Sequence, residues 1–182
     1  MGNLRVERLT GHHDRAAFNC EVGDLGTYLH DVAGQDMRRY ATAVFVAITP
    51  SHPRTIVGYY TLSSFSLNLN DIPPAQRRKL ARYPDVGTTL LGRLAVDARC
   101  RGQGLGEFLL VDALQRAAAT EIATAGVVVD ALESAEGFYT RYGFVRLSGQ
   151  RFWIPMPTIQ RLFPPEAVAE ADGQAPTAEP PD

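Results

Sequence analysis

The feature that most constrains the fold is a glycine-rich turn between an apolar segment and an amphipathic one. The turn, RCRGQGLG (residues 99–106), has glycine at positions 102, 104 and 106. Before it, TTLLGRLAV (88–96) is almost continuously apolar, which is typical of a strand buried on both faces. After it, EFLLVDALQRAAA presents a broad apolar arc at helical spacing. With a second apolar run, AGVVVDAL (125–132), this order predicts a β-α-β unit whose two strands are parallel.

The flanking segments predict antiparallel strands and further helices around that unit. Strands are predicted at LRVERL, TAVFVAI, TIVGYYTLSSFSL, FVRL and RFWIPM, and the second and third are joined by a hairpin-like, proline-containing connection. Helices are predicted over 24–39, 73–84 and 133–142. The sequence therefore predicts an α/β fold of the mixed (α+β) kind. Its central sheet is mostly antiparallel, with one parallel pair and helices on both faces.

Composition predicts one globular domain followed by a polar tail. Of the 182 residues, 45% are hydrophobic and 21% are charged, which suits a chain that buries a core. From Pro164 onward the sequence is rich in Pro, Ala and acidic residues, so we expect a domain over 1–163 and a disordered tail over 164–182. Two cysteines are too few for a disulfide framework, and no apolar run approaches the roughly 18 residues that cross a bilayer. We expect a cytoplasmic protein without a membrane span.

Charge is distributed unevenly along the chain. Residues 166–182 carry five acidic side chains and no basic one, which leaves 15 acidic against 18 basic side chains in the rest. Every basic residue except Lys79 is arginine. An arginine-rich, mildly basic body is compatible with a partner that carries phosphate groups, although it does not require one.

Three glycines in one strand-to-helix turn indicate that a ligand approaches the bare backbone. The N-terminus of a helix has free N–H groups that attract an anion. A tight turn without a ligand is the alternative that this pattern leaves open. A Walker loop is excluded because no lysine follows the glycines, and the G-x-G-x-G spacing differs from the G-x-G-x-x-G of dinucleotide folds.

Two motifs in order resemble those of the GNAT N-acetyltransferases. Arg101-x-x-Gly104-x-Gly106 is similar to the family's acetyl-CoA loop, and Ala135-x-x-x-Tyr139, followed by a Gly-Phe pair, is similar to its next motif. The resemblance implies a GNAT fold with a splayed parallel strand pair and acetyl-CoA as cosubstrate, without a metal. It implies a coenzyme site at Leu94, Ala95, Val96, Arg101, Gly102, Gln103, Gly104, Leu105 and Gly106. The sequence departs from the family at Leu132, where many members have an asparagine that helps to hold the cofactor.

Acetyl transfer to an amine needs N–H groups that face an oxyanion and an acid that protonates the leaving thiolate. By resemblance, N–H groups near Leu94 to Val96 face the thioester. Within the second motif we expect Tyr139 to be the acid, because a phenol of pKa about 10 donates to a thiolate whose conjugate acid has a pKa near 8.5. A core aromatic is the alternative role for Tyr139.

No side chain stands out as a general base. The four histidines lie outside both motifs, and Asp97, Glu107 and Glu133 lie near the expected cleft, where solvated acids are commoner than catalytic ones. An α-amine, with a pKa of about 7.7–8.0, is often neutral already, whereas a lysine amine with a pKa of about 10.4 is not. The missing base therefore favours an α-amino acceptor.

A longer resemblance covers nearly the whole chain. FNCEVGDLGTYLHDVAGQDMRRY is similar to the N-terminal segment of the acetyltransferase toxins of bacterial toxin–antitoxin systems, at Phe18, Cys20, Leu25, Tyr28, Leu29, Gln35 and Arg38. This implies acetylation of the α-amine of aminoacyl-tRNA, a block of translation, a ribbon-helix-helix antitoxin and a homodimer. Candidate tRNA contacts are Arg38, Arg77, Arg78, Lys79 and Arg93, for which solvated or internally paired roles are the alternative.

Two other functions remain open from the sequence. One is a GNAT enzyme that acetylates a small-molecule amine or a protein N-terminus, since this fold hosts many acceptors. The other is an acyl-CoA-binding module without turnover. Tyr139 argues against the second, and Leu132 slightly favours it.

Overall fold

The computed structural model describes residues 4–80 and 82–164 and is organised around a seven-stranded sheet. The strand order is β1-β2-β3-β4-β5-β7-β6, and every neighbouring pair is antiparallel except β4 and β5. This confirms the predicted mixed sheet with one parallel pair. The strands are β1 Arg5–Arg8, β2 Ala43–Ile48, β3 Gly58–Asn68, β4 Asp85–Val96, β5 Gly126–Asp130, β6 Val145–Ser148 and β7 Arg151–Pro155.

Helices lie on both faces of the sheet, as predicted. The first helical segment is continuous, because α1 passes through a π-helical turn, Tyr28–Val32, into α2. Short 3₁₀ turns precede α3, α4 and α5. The α-helices are α1 Gly23–Thr27, α2 Ala33–Arg38, α3 Pro74–Arg77, α4 Leu105–Ala118, α5 Glu136–Arg141 and α6 Met156–Leu162.

Alternating side chains of the strands divide the core between the two faces. On β2, Phe45 packs with α4, whereas Val44 and Val46 pack with α1 and α2. On β5, Val127 packs on the α4 side, whereas Val128 packs on the opposite side, in a third cluster beneath the α3 region. Because side chains alternate along a strand, α4, α5 and α6 cover one face, and α1, α2 and the α3 region cover the other.

Two elements differ from the sequence prediction. The helix predicted over 73–84 is confined to Pro74–Arg77. The segment RFWIPM was predicted as strand throughout, but β7 ends at Pro155 and α6 begins at Met156. Pro157 suits the first turn of a helix, where no N–H partner is needed, and burial of Ile159 holds α6 on the sheet. The predicted tail, apart from Pro164, lies outside the described residues.

Candidate active site

The parallel strands β4 and β5 separate halfway along β4. They pair only over Thr89–Leu91 of β4 and Val127–Val129 of β5. From there to Val96, β4 keeps only its pairing with β3. The two strands therefore form a V that opens toward the glycine-rich turn.

A β-bulge in β4 lies at the point of separation. Thr61 of β3 pairs with Arg93, but the next residue, Leu62, pairs with Leu91, so Gly92 is an extra residue in β4. Before the bulge, Leu91 packs on the α4 face; after it, Leu94 packs on that face and Ala95 on the α1 face. The bulge thus sets which side chains of the open half of β4 face each side.

Backbone N–H groups also alternate in direction along β4, and some of them point into the V. The N–H of Asp97 donates to the carbonyl of Val57, the residue that precedes β3. In an antiparallel pair, alternate residues direct their N–H groups to the same side. The N–H groups of Leu94 and Val96 therefore point away from β3, into the side where β5 no longer pairs, while that of Ala95 points at β3.

A cleft of about 590 Å³ occupies this end of the sheet. Every coenzyme residue predicted from the sequence lines it except Gln103, which is exposed beside it. Three other regions complete its wall: the segment that leads into α1 with the first turn of that helix, the end of the 3₁₀ turn that follows β4, and the segment from Leu132 into α5. Their lining residues are Cys20, Val22, Leu25, Cys100, Leu132, Ser134, Ala135 and Phe138.

The glycine-rich turn presents bare backbone to this cleft. Gly102 and Gly104 have φ of 71° and 76°, which is left-handed backbone that glycine adopts without strain. Gly104 is the N-cap of α4, and no side chain caps the N–H groups of the first turn. These N–H groups, the helix dipole and the guanidinium of Arg101 suit a phosphate-bearing ligand.

Asp97, at the end of β4, is fully buried rather than solvated. Its carboxylate accepts hydrogen bonds from Arg99 Nε at 2.7 Å and from the N–H of Asn19 at 3.0 Å. Burial raises the pKa of Asp97, but these hydrogen bonds outweigh it, and its pKa lies below the ordinary value. Asp97 therefore fastens the segment before α1 to the end of β4, a role that nothing in the sequence pattern indicated.

Tyr139 lies on α5, behind the wall of the cleft. It is 6% exposed, and its ring contacts Phe138 and Phe144 edge-on at centroid distances of 5.1 and 5.4 Å. Phe138 lines the cleft, and Tyr139 is not among the lining residues. Burial raises the pKa of Tyr139 to about 12, so the phenol is protonated at any physiological pH. Its role as the acid stays a prediction.

The candidate tRNA-binding residues lie outside the cleft, on the face that carries α1, α2 and the α3 region. The guanidinium of Arg93 stacks 3.5 Å above the ring centroid of Tyr28, whose hydroxyl donates to Asp36. Arg77 donates to the side chain of Asn70 at 3.1 Å. The side chains of Arg38, Arg78 and Lys79 are exposed.

A histidine outside the cleft has internal hydrogen-bond partners. His13 is buried, with Nε2 3.1 Å from Glu7 and Nδ1 accepting the N–H of Thr10. Within residues 4–80 and 82–164, no cluster of three or more His, Cys, Asp or Glu side chains is arranged to hold a metal ion. In the same part of the chain, no helix is long and apolar enough to span a bilayer.

A parallel strand pair that splays beside a glycine-rich, uncapped helix N-terminus defines the GNAT class of fold. Consistent with this, residues 85–153 match the family model described as an acetyltransferase (GNAT) domain. Two curated relatives narrow the class. One, from Sinorhizobium fredii, is described as a probable toxin TacT and is 30% identical over 163 residues, covering 83% of this chain and 90% of the relative.

The second relative, the tRNA-acetylating toxin of Mycobacterium tuberculosis, is 34% identical over 147 residues, covering 79% of this chain and 85% of the relative. The solved structure of AtaT complexed with acetyl-methionyl-tRNAfMet has a TM-score of 0.81 at 28% identity, covering 88% of this chain and 99% of AtaT. The solved structure of AtaTR bound with AcCoA has a TM-score of 0.77 at 28% identity, and the match covers 88% of this chain and 98% of the chain in that structure. The chain belongs to the family of GNAT acetyltransferase toxins.

Proposed function

We propose that this enzyme transfers an acetyl group from acetyl-CoA to the α-amino group of aminoacyl-tRNA and thereby blocks translation. The observation that carries the proposal is that unpaired N–H groups of β4 and the uncapped N-terminus of α4 lie side by side in one cleft. One relative is named a tRNA-acetylating toxin, and AtaT was solved with an acetylated methionyl-tRNA. Acylation of the α-amine removes the nucleophile that forms the peptide bond.

The glycine-rich turn is the part of the cleft that suits the coenzyme. The backbone N–H groups of 101–106 and the guanidinium of Arg101 bind the pyrophosphate, with attraction from the dipole of α4. The acyl arm then extends along the V between β4 and β5. Ser134 is a polar side chain in the wall near Leu132, where the expected asparagine is missing.

The chemical step follows from the orientation of the N–H groups in the V. The neutral amine attacks the thioester carbonyl, and the N–H groups of Leu94 and Val96 stabilise the oxyanion that forms. When the intermediate collapses, the C–S bond breaks and the thiolate takes a proton from Tyr139. The attacking nitrogen, which is cationic in the intermediate, loses its proton to solvent to give a neutral amide, and the phenolate of Tyr139 regains a proton from solvent.

Among the described residues, the cleft offers no side chain as a general base, and the acceptor amine does not need one. Asp97 is already occupied by Arg99 and Asn19, and Glu107 and Glu133 are exposed. An α-amine beside an ester has a pKa below that of an ordinary α-amine, so a sizeable fraction is neutral near pH 7. This enzyme therefore acts without a side-chain base.

The acceptor end of the tRNA approaches over the face that carries α2, the α3 region and Arg93. Arg38, Arg78 and Lys79 are exposed there, and each phosphate contact releases counterions. Arg93 lies two residues beyond Leu91, the last residue of β4 that pairs with β5. Its guanidinium is held flat on Tyr28, which leaves its N–H edges for a phosphate of the terminal nucleotides.

The proposal extends to the biology of a toxin. We expect a homodimer, cytoplasmic action and neutralisation by a ribbon-helix-helix antitoxin whose C-terminal segment binds this chain. A solved structure shows the related AtaT bound to the C-terminus of the antitoxin AtaR. Co-expression with the product of a neighbouring gene for a small DNA-binding protein, followed by size-exclusion chromatography with light scattering, measures both assemblies.

The test of the activity is transfer of radiolabelled acetyl from acetyl-CoA to a mixed aminoacyl-tRNA pool, with uncharged tRNA and free amino acids as controls. We expect label only on charged tRNA, lost on deacylation. If the protein binds acetyl-CoA but labels no tRNA, the acceptor is a small amine or a protein N-terminus. Coenzyme binding without product on any amine would make the protein a binding module.

Salt dependence of tRNA binding tests the proposed surface. We expect affinity to fall steeply between low and moderate salt, and Arg78→Ala to lower the slope of log K against log salt by about 0.7–0.9. Arg161→Ala removes the same charge from an exposed site on α6, on the opposite face, and should leave the slope unchanged. Equal slopes for both variants would exclude Arg78 from the tRNA contact.

A further inference from the structure

Arg101, the first residue of the proposed coenzyme turn, has a carboxylate partner. Its guanidinium forms a salt bridge with Glu21, in the segment that precedes α1. Arg101 lines the cleft, and so do Cys20 and Val22, the two chain neighbours of Glu21. The acidic side chain of Glu21 therefore lies at the rim of a site that suits an anion, and it forms a salt bridge with Arg101, the basic side chain of that site.

Glu21 is kept at this position by the segment before it. The N–H of Asn19 donates to Asp97 at 3.0 Å, and the N–H of Ala98 donates to the carbonyl of Asn19 at 2.8 Å. Arg99 adds a hydrogen bond from Nη2 to the carbonyl of Ala17 at 3.2 Å. Because Asp97 is fully buried, the segment is tied to the end of β4 and holds Glu21 within reach of Arg101.

The salt bridge itself is exposed to solvent. The side chains of Arg101 and Glu21 are 46% and 65% exposed. Exposed ion pairs are weak, and a pyrophosphate carries more charge and offers more acceptor atoms than a carboxylate. A phosphate ligand therefore displaces Glu21 from Arg101, and the displaced carboxylate is left close to the bound phosphates, where like charges repel.

We propose that Glu21 lowers the affinity of this protein for coenzyme A. It holds Arg101 in the absence of the coenzyme, competes with the pyrophosphate for the guanidinium, and re-forms the salt bridge when coenzyme A leaves. This inference rests on the proposed function only in placing the pyrophosphate at the glycine-rich turn. The proposal predicts that removing the negative charge of Glu21 lowers the Kd for coenzyme A.

The experiment is calorimetric titration of the full chain with coenzyme A, which requires no tRNA and no turnover. We expect Glu21→Gln to lower the Kd by about two- to fivefold, the scale of an exposed ion pair. Asp24→Asn is the matched control, because Asp24 is also exposed and lies three residues away but forms no salt bridge with Arg101. The control should change the Kd by much less.

A double-variant cycle separates competition from simple repulsion. With Arg101→Ala in place, Glu21→Gln should tighten binding less than it does in the unaltered background, because only the repulsion remains, and in the unaltered background its gain should shrink as salt screens the charges. Weaker binding by Glu21→Gln, or an equal gain with and without Arg101, would overturn the inference while leaving the coenzyme site intact. Failure of the unaltered protein to bind coenzyme A would overturn the proposed function, and this inference with it.

Discussion

The two halves of β4 have the same kind of sequence and different surroundings. Up to Leu91 the strand is hydrogen-bonded to β3 on one side, and over Thr89–Leu91 it is also hydrogen-bonded to β5 on the other. Beyond Gly92 it is hydrogen-bonded to β3 alone, and Leu94, Ala95 and Val96 line the cleft. Each half ends in apolar residues, Leu90–Leu91 in the first and Leu94–Val96 in the second, so the apolar pattern does not distinguish them.

The two halves of β4 therefore have different roles. In the first half, apolar side chains and paired N–H groups stabilise the sheet. In the second half, one edge of the backbone is left unpaired, which costs stability unless a ligand or water satisfies it. The N–H groups of Leu94 and Val96 are therefore the part of β4 available for chemistry, and substitutions in the two halves should affect different measurements.

The largest expected effect is on stability, in the paired half. Leu91→Ala removes a fully buried side chain and should lower the free energy of unfolding by about 2–5 kcal/mol. Leu94→Ala, in the half-buried lining of the cleft, should cost less stability and should weaken coenzyme A binding more. Urea denaturation and calorimetric titration of both variants measure the two effects. Equal stability losses would contradict the distinction between the halves.

The second prediction concerns turnover. Tyr139→Phe should reduce acetyl transfer at least about 100-fold, because it removes the proposed acid, while coenzyme binding and folding persist. Tyr142→Phe, on the residue that follows α5, is the control and should retain near-normal turnover. Single-turnover rates with purified aminoacyl-tRNA give the comparison. A Tyr139→Phe variant with near-normal rates would remove this tyrosine from the mechanism.

The third prediction concerns Gly106 of the glycine-rich turn, which faces the open half of β4. A methyl group at Gly106 would meet Val96 and Phe138 at 3.9–4.0 Å, which is ordinary contact, so Gly106→Ala should fold normally. We expect its Kd for coenzyme A to rise about tenfold, a loss of about 1.4 kcal/mol, because the methyl group blocks the approach to the backbone. Gly137→Ala, where a Cβ meets nothing within 4 Å, is the control. Unchanged affinity in Gly106→Ala would mean that the phosphates lie elsewhere.

The smallest effect is expected on the alkaline side of the pH profile. Burial raises the pKa of Tyr139 to about 12, so the phenol keeps its proton up to about pH 10. The rate should rise with pH as the acceptor amine is deprotonated and then stay level to about pH 10. Stopped-assay rates from pH 6 to pH 10, with the stability of the aminoacyl ester monitored in parallel, provide the check. A decline centred near pH 8–9 would indicate a different acid.

The sequence by itself determined the β-α-β unit, the glycine-rich turn and the family. These follow from local rules: an apolar run predicts a buried strand, and glycine is required where backbone adopts a positive φ, as at Gly102 and Gly104. The Ala135-x-x-x-Tyr139 spacing likewise identified the motif after β5. The resemblance to the family also predicted a set of coenzyme-binding residues, and all of them except Gln103 line one cleft.

Only the tertiary structure decided the features that depend on partners distant in sequence. The extra residue at Gly92 is visible only from the register with β3, and it reverses which side chains face α4. Asp97 fastens two distant segments because the N–H of Asn19, 78 positions earlier, donates to it, and Arg101 forms a salt bridge with Glu21, 80 positions earlier in the chain. Pairings of this kind are set by strand order and packing, for which the sequence of any one segment carries no local signal.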